Sequence, residues 1–240
     1  MKTQTCEFGF LAAPDSGSHP AVVMIHDVWG LKEHTRDIAT RLAGEGFRVL
    51  ALDLYRGMSN VKIENPGPWI QGLSDPDIVA DLHAAAAFMR DRPDTAGHAV
   101  GLTGFCMGGM YALLAACEGD ESAFAAVAPF YGMLSYDHGL MQADGGLDPA
   151  KKPRDPIAAA GDLHCPVLAF FGAEDPYITL DDIAALEEKF EGVSHPHECV
   201  TYEGAGHAFM NDTYPDAYRD DAAKDAWGRL VAFLGQHLSG

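Results

Sequence analysis

Short apolar runs alternate along the chain with longer segments of helical periodicity. Residues 21–27, AVVMIHD, lack any polar alternation, as expected of a strand buried on both faces, and 31–47, LKEHTRDIATRLAGEGF, then reads as an amphipathic helix stopped by glycine. The strand signal returns in RVLALDLY at 48–55, followed by a Gly/Pro-rich irregular stretch at 56–75 and a helix with Asp capping candidates at 77–92. Further strands are expected at 98–105, 123–132, 165–175 and 197–204, and further helices at 107–117 and 180–190. A last helix at 215–238 carries Trp227, Leu230, Val231, Phe233 and Leu234 at the spacing of a docked face. Continuous apolar strands separated by helices predict an α/β fold: a mostly parallel sheet covered by helices on both faces, in one domain over 1–240. The longest irregular stretch, 133–164, is expected to loop over one end of that sheet. Ligands of such sheets bind beyond the carboxyl ends of the strands, so residues there are the candidates for chemistry.

Composition narrows the partners. The 240 residues carry 16 Lys and Arg against 35 Asp and Glu, a formal charge of -19 that repels phosphate backbones and anionic lipid surfaces, so no nucleic acid or membrane partner is expected. Five cysteines, widely spread and without a C-x-x-C pair, predict neither a disulfide framework nor a zinc site. His195-Pro196-His197 has no nearby third ligand, and no phosphate-binding glycine motif occurs, so no metal and no cofactor are expected. With no apolar leader and no run of about 18 apolar residues, the expectation is a cytoplasmic protein.

Between an expected strand and an expected helix lies GFCMGG, residues 104–109. G-x-C-x-G is the cysteine form of the nucleophile elbow, in which glycines relieve crowding around a sharply turned residue. The free N–H groups and dipole of the helix beginning there favour a thiolate. In such folds the order along the chain is nucleophile, acid, histidine. Asp175 in FGAEDP follows the strand begun at Cys165, and His207 in EGAGH follows the next; Glu174 remains the alternative acid. An oxyanion needs two backbone N–H donors, for which Met107 and Val28 are the candidates. His26 and Asp27, just before Val28, also fit a simple strand-end cap.

The segments HDVWG at 26–30, LALDLY at 50–55, GFCMGG, PFYG at 129–132, FGAEDP at 171–176 and GAGHAF at 204–209 together resemble the dienelactone hydrolases, α/β-hydrolase enzymes with a cysteine nucleophile. The likeness extends over essentially the whole chain. It implies a Cys106, His207, Asp175 triad that forms a thioester acyl-enzyme and hydrolyses an ester or lactone. It also implies that Asp27 stands where relatives hold the resting thiol with a Glu. Those relatives bind a substrate carboxylate through arginines, and have Ser and Arg where this chain has Ala208 and Asn211. Between Gly57 and Met89 this chain offers only Lys62 as a cation. An altered substrate preference follows, with Trp29, Tyr131 and Phe209 as apolar pocket walls around a small ester or lactone. The oligomeric state is not expressed in the sequence.

Two other readings compete. One is a non-catalytic module that binds a small ligand on the same fold. The other is a redox thiol at Cys106, for which Cys117 is poorly placed, 11 residues along the same expected helix and about 16 Å away at 1.5 Å per residue.

Overall fold

A computed structural model describes residues 1–56, 62–95 and 97–238, so residues 57–61 of the irregular stretch expected at 56–75 lie outside the described residues. One eight-stranded sheet runs through the molecule. Its strands are β1 (Lys2–Cys6), β2 (Gly9–Ala13), β3 (Ala21–Ile25), β4 (Arg48–Leu52), β5 (Val100–Phe105), β6 (Ala126–Phe130), β7 (Val167–Gly172) and β8 (His197–Tyr202). The spatial order is β1-β2-β4-β3-β5-β6-β7-β8. β1 and β2 pair antiparallel with each other and β2 antiparallel with β4; every other pairing is parallel.

The central strands β3, β4, β5, β6 and β7 are buried along their whole length, which is why their sequences show no alternation. The helices are α1 (Glu33–Gly44), α2 (Pro66–Gly72), α3 (Asp75–Arg90), α4 (Met107–Cys117), α5 (Pro156–Ala159), α6 (Leu180–Phe190) and α7 (Asp220–Leu238). Two glycines on β5 show how the layers sit. Gly101 and Gly104 are three apart and so face opposite sides of the sheet. A Cβ at Gly101 would lie 2.8 Å from Leu238 of α7, and one at Gly104 would lie 2.2 Å from the Gly108 oxygen of α4. Helices therefore cover both faces, as the sequence implies.

The differences from expectation have physical reasons. The β1–β2 hairpin carries no strand signal, because β1 is an almost fully exposed edge strand of polar residues. α2 sits within the stretch read as irregular: Pro66 occupies its first turn, where a missing N–H costs nothing, and the Asn65 side chain accepts the Gly67 N–H. α7 starts at Asp220 and not at 215, since the Arg219 guanidinium ties the carbonyls of Gly204, Asp216 and Tyr218 into a turn. Of its expected core face, Leu230 and Leu234 are fully buried, whereas Trp227, Val231 and Phe233 are half-buried.

Candidate active site

Six segments that follow parallel strands converge at one end of the sheet. Cys106 comes directly after β5 with φ 57° and ψ −119°, a strained conformation for a residue with a side chain. The turn is possible because its neighbours lack Cβ atoms. Besides the contact at Gly104, a Cβ at Gly108 would lie 2.6 Å from the backbone oxygens of both Ile25 and His26. Cys106 N–H donates to the Phe130 oxygen at 3.0 Å, and its own carbonyl accepts the N–H groups of Gly109 and Met110 in the first turn of α4. The residue is 7% exposed.

His207 lies in the turn after β8. Its Nδ1 is 2.7 Å from Asp175 Oδ2, and Asp175 Oδ1 accepts the Tyr177 N–H at 2.8 Å. The Asp175 side chain is fully buried and that of His207 is 14% exposed. Glu174, the alternative acid, is exposed. The other ring nitrogen, Nε2, is buried without a formed hydrogen bond, and Cys106 is near enough to act on the ring. Burial opposes a charged imidazole, yet the electrostatic interaction with Cys106 and the hydrogen bond to Asp175 outweigh it, and His207 is pushed up to about 10. Tyr131 and Tyr177 present their rings edge-on to the imidazole at centroid distances of 5.1 and 5.0 Å.

The segment after β3 supplies the opposite wall. Asp27 Oδ1 accepts the Trp29 N–H at 2.8 Å, so the carboxylate caps its own turn. Burial pushes Asp27 up to about 6, against the pull of that hydrogen bond and of the His207 charge. Among the described residues neither the Val28 nor the Met107 N–H has an acceptor. Val28 and Met107 are brought together by Tyr55, whose hydroxyl donates to the Val28 oxygen at 2.9 Å and lies 3.4 Å from Met107 Sδ.

Of the expected pocket walls, Trp29 is 47% exposed at the rim and Tyr131 touches the imidazole, but Phe209 has no exposed surface. Phe209 instead packs between Tyr131 and Tyr202, bracing the former from behind. Tyr55 and Tyr177 escape a reading of the sequence, although Tyr55 lies three residues past the end of β4 and Tyr177 two residues past the candidate acid Asp175. Asn211 turns its Oδ1 onto the Thr213 N–H and hydroxyl, and Lys62 is an exposed partner of Glu64. Cys117 closes the far end of α4, and burial pushes its thiol up, as befits a packing residue. Among the described residues no group of three or more His, Cys, Asp or Glu is arranged to hold a metal, and no helix is long and apolar enough to cross a membrane.

A strained cysteine at a strand-to-helix elbow, with histidine and acid after later strands, is the site arrangement of an α/β-hydrolase. The model of the dienelactone hydrolase family matches residues 8–238. The chain belongs to that family. A Bradyrhizobium protein named "Probable 2-oxo-3-(5-oxofuran-2-ylidene)propanoate lactonase" is 30% identical over 235 residues, spanning 96% of this chain and 90% of its own length. A Salmonella typhimurium protein, provisionally named as a carboxymethylenebutenolidase, is 33% identical over 227 residues, spanning 92% and 78% respectively. A crystal structure from Klebsiella pneumoniae, provisionally described as a dienelactone hydrolase, superposes with a TM-score of 0.82 at 30% identity, covering 95% of this chain and 92% of that one. The α/β-hydrolase fold and membership among dienelactone hydrolase-type hydrolases are thereby shown.

Proposed function

We propose that this dienelactone hydrolase family member cleaves a small carboxylic ester or lactone through Cys106, His207 and Asp175, with a thioester intermediate. The observation that carries this reading is the continuous line from the buried Asp175 carboxylate through His207 Nδ1 to an imidazole whose proton affinity answers to Cys106. His207 takes the thiol proton, and the thiolate attacks the substrate carbonyl carbon. The resulting oxyanion is received by the N–H groups of Met107 and Val28. On collapse the C–O bond breaks, and His207 returns the proton to the departing alkoxide. A water then gives a proton to His207 and attacks the thioester; the second collapse releases the carboxylic acid product and restores the thiol. Asp175 fixes the tautomer of His207 and is itself held by Tyr177.

The substrate preference follows from charge. Asp27, ionised above about pH 6, sits against the reacting pair; the position that carries an Arg after the histidine in relatives is here Asn211, engaged in its own turn, and Lys62, the one Lys or Arg between Gly57 and Met89, is exposed and paired with Glu64. An uncharged ester or lactone suits this site better than an anionic one. The test is hydrolysis of p-nitrophenyl acetate by the wild type, Cys106→Ala and His207→Ala. Both variants should lose at least about 10³-fold in kcat. Equal rates from all three proteins would refute the assignment and favour a non-catalytic binding role.

A further inference from the structure

We infer that His26 and Tyr55 are positioning residues that set the direction of the Val28 N–H as an oxyanion donor. This rests on the hydrolytic reading given above. The Val28 N–H and the Asp27 carbonyl belong to one planar trans peptide and point in opposite directions, so whatever holds the Asp27 oxygen aims the Val28 N–H. His26 Nδ1 lies 2.5 Å from that oxygen, which also accepts the Gly30 N–H at 3.2 Å. The tautomer is fixed by the far side of the ring: the Leu54 N–H donates to His26 Nε2 at 3.3 Å, so a neutral imidazole carries its proton on Nδ1 and donates to Asp27. His26 has no exposed surface, and burial pushes it down to about 4, which keeps the ring neutral over the working pH range.

The peptide on the other side of Val28 is held as well. Tyr55 donates to the Val28 oxygen and packs its ring 4.9 Å from His26, with Trp69 edge-on at 5.5 Å. The two carbonyls flanking the Val28 N–H are thus each tied to a buried side chain, and these side chains touch each other. A donor fixed in advance stabilises developing charge without having to reorganise during the reaction. A simple strand-end cap explains neither why both carbonyls are held nor why Tyr55 also reaches Met107, the residue with the second donor.

Two rates separate this role from ordinary stability. Hydrolysis of p-nitrophenyl acetate passes through an oxyanion, whereas alkylation of Cys106 by iodoacetamide does not. Losing one oxyanion donor outright costs about 10² to 10³ in kcat, so misdirecting it in His26→Leu should cost about 10- to 100-fold, mainly in kcat and little in KM. Tyr55→Phe, a smaller change that keeps the ring packing, should cost about 3- to 10-fold, and His26→Asn, whose amide N–H can reach the Asp27 oxygen, should recover most of the loss. Alkylation should stay within about twofold of wild type in all three variants. Wild-type hydrolysis by both His26→Leu and Tyr55→Phe, or alkylation that falls in step with hydrolysis, would overturn the inference; if His26→Leu does not fold, Tyr55→Phe decides it by the same criteria. Undiminished hydrolysis by Cys106→Ala would instead sink the reaction assignment and the inference with it, so the two failures are distinguishable.

Discussion

Cys106, Tyr131 and Ala208 have φ values of 57°, 36° and 63°, and the fourth described non-glycine residue with positive φ is Arg56. Three of the four therefore lie at the strand ends that build the site, where strain of about 1–3 kcal/mol per residue is tolerated because the surroundings over-determine the backbone. Asp27 adds an electrostatic cost. Its folded-state pKa, about 6, lies above the ordinary carboxyl value of 3.8, so the folded protein binds the proton more tightly than the unfolded chain. The cost of ionising Asp27 is therefore absent below about pH 4, grows between about 4 and 6, and is complete above that. Asp27→Asn, which keeps an oxygen for the Trp29 N–H, should gain about 2 kcal/mol at pH 7.5, and the gain should shrink toward zero as the pH approaches 4. Urea unfolding at the two pH values checks it; a variant no more stable than wild type at pH 7.5 would contradict the burial argument.

Among the elements, the stretch 133–164 departs most from its appearance in the sequence. Its Gly, Pro and Asp content reads as a loop, yet it carries short helical turns and a fully buried lysine. Lys152 Nζ contacts Asp75 Oδ1 at the start of α3 and lies 3.0 Å from the Tyr111 hydroxyl of α4, while the Tyr136 hydroxyl donates to Asp75 Oδ2 at 2.7 Å. Burial pushes Lys152 down, and Asp75 opposes that shift. Lys152→Met would leave the Asp75 carboxylate buried without its cation and should destabilise the protein by about 3–5 kcal/mol, with part of the loss recovered in the Lys152→Met, Asp75→Leu double variant. A single variant of wild-type stability would show that the pair does not hold this segment. No local pattern announces such a lysine, because burial of Lys is rare and depends on partners 41 and 77 residues away. The central strands are legible for the opposite reason: burial on both faces is written directly into their composition. Cys106, Asp175 and His207 are legible through their order and their places after strands, whereas Tyr55, Tyr177 and the bonds of His26 are not. A tyrosine near a strand end looks like any core residue until its hydroxyl is seen to hold a carbonyl.

At the scale of the whole molecule, 35 acidic side chains against 16 basic ones surround a site that contains Asp27, with Glu174 and Glu203 exposed on the loops after β7 and β8. Among the cations, Arg41 pairs with Asp37 and Asp212, Arg56 with Asp81 and Arg219 with backbone carbonyls, while Lys32 acts on Asp27 itself and offsets only part of the negative field. A negative field of this kind slows the approach of an anion and is screened by salt over a Debye length of about 10 Å at 0.1 M. Two esters of matched leaving group, p-nitrophenyl acetate and the mono-p-nitrophenyl ester of succinic acid, should therefore behave differently. At pH 7.5 and low salt the anionic ester should show a kcat/KM lower by about tenfold or more, and salt near 0.5 M should narrow that gap several-fold while leaving the neutral ester almost unchanged. Asp27→Asn should narrow it further at pH 7.5, where Asp27 is ionised, since its pKa is about 6. Preference for the succinate ester, or a kcat/KM for it that falls as salt is added, would mean that a cation receives its carboxylate at the site, and the neutral-substrate reading would have to be given up while the Cys106 chemistry stood.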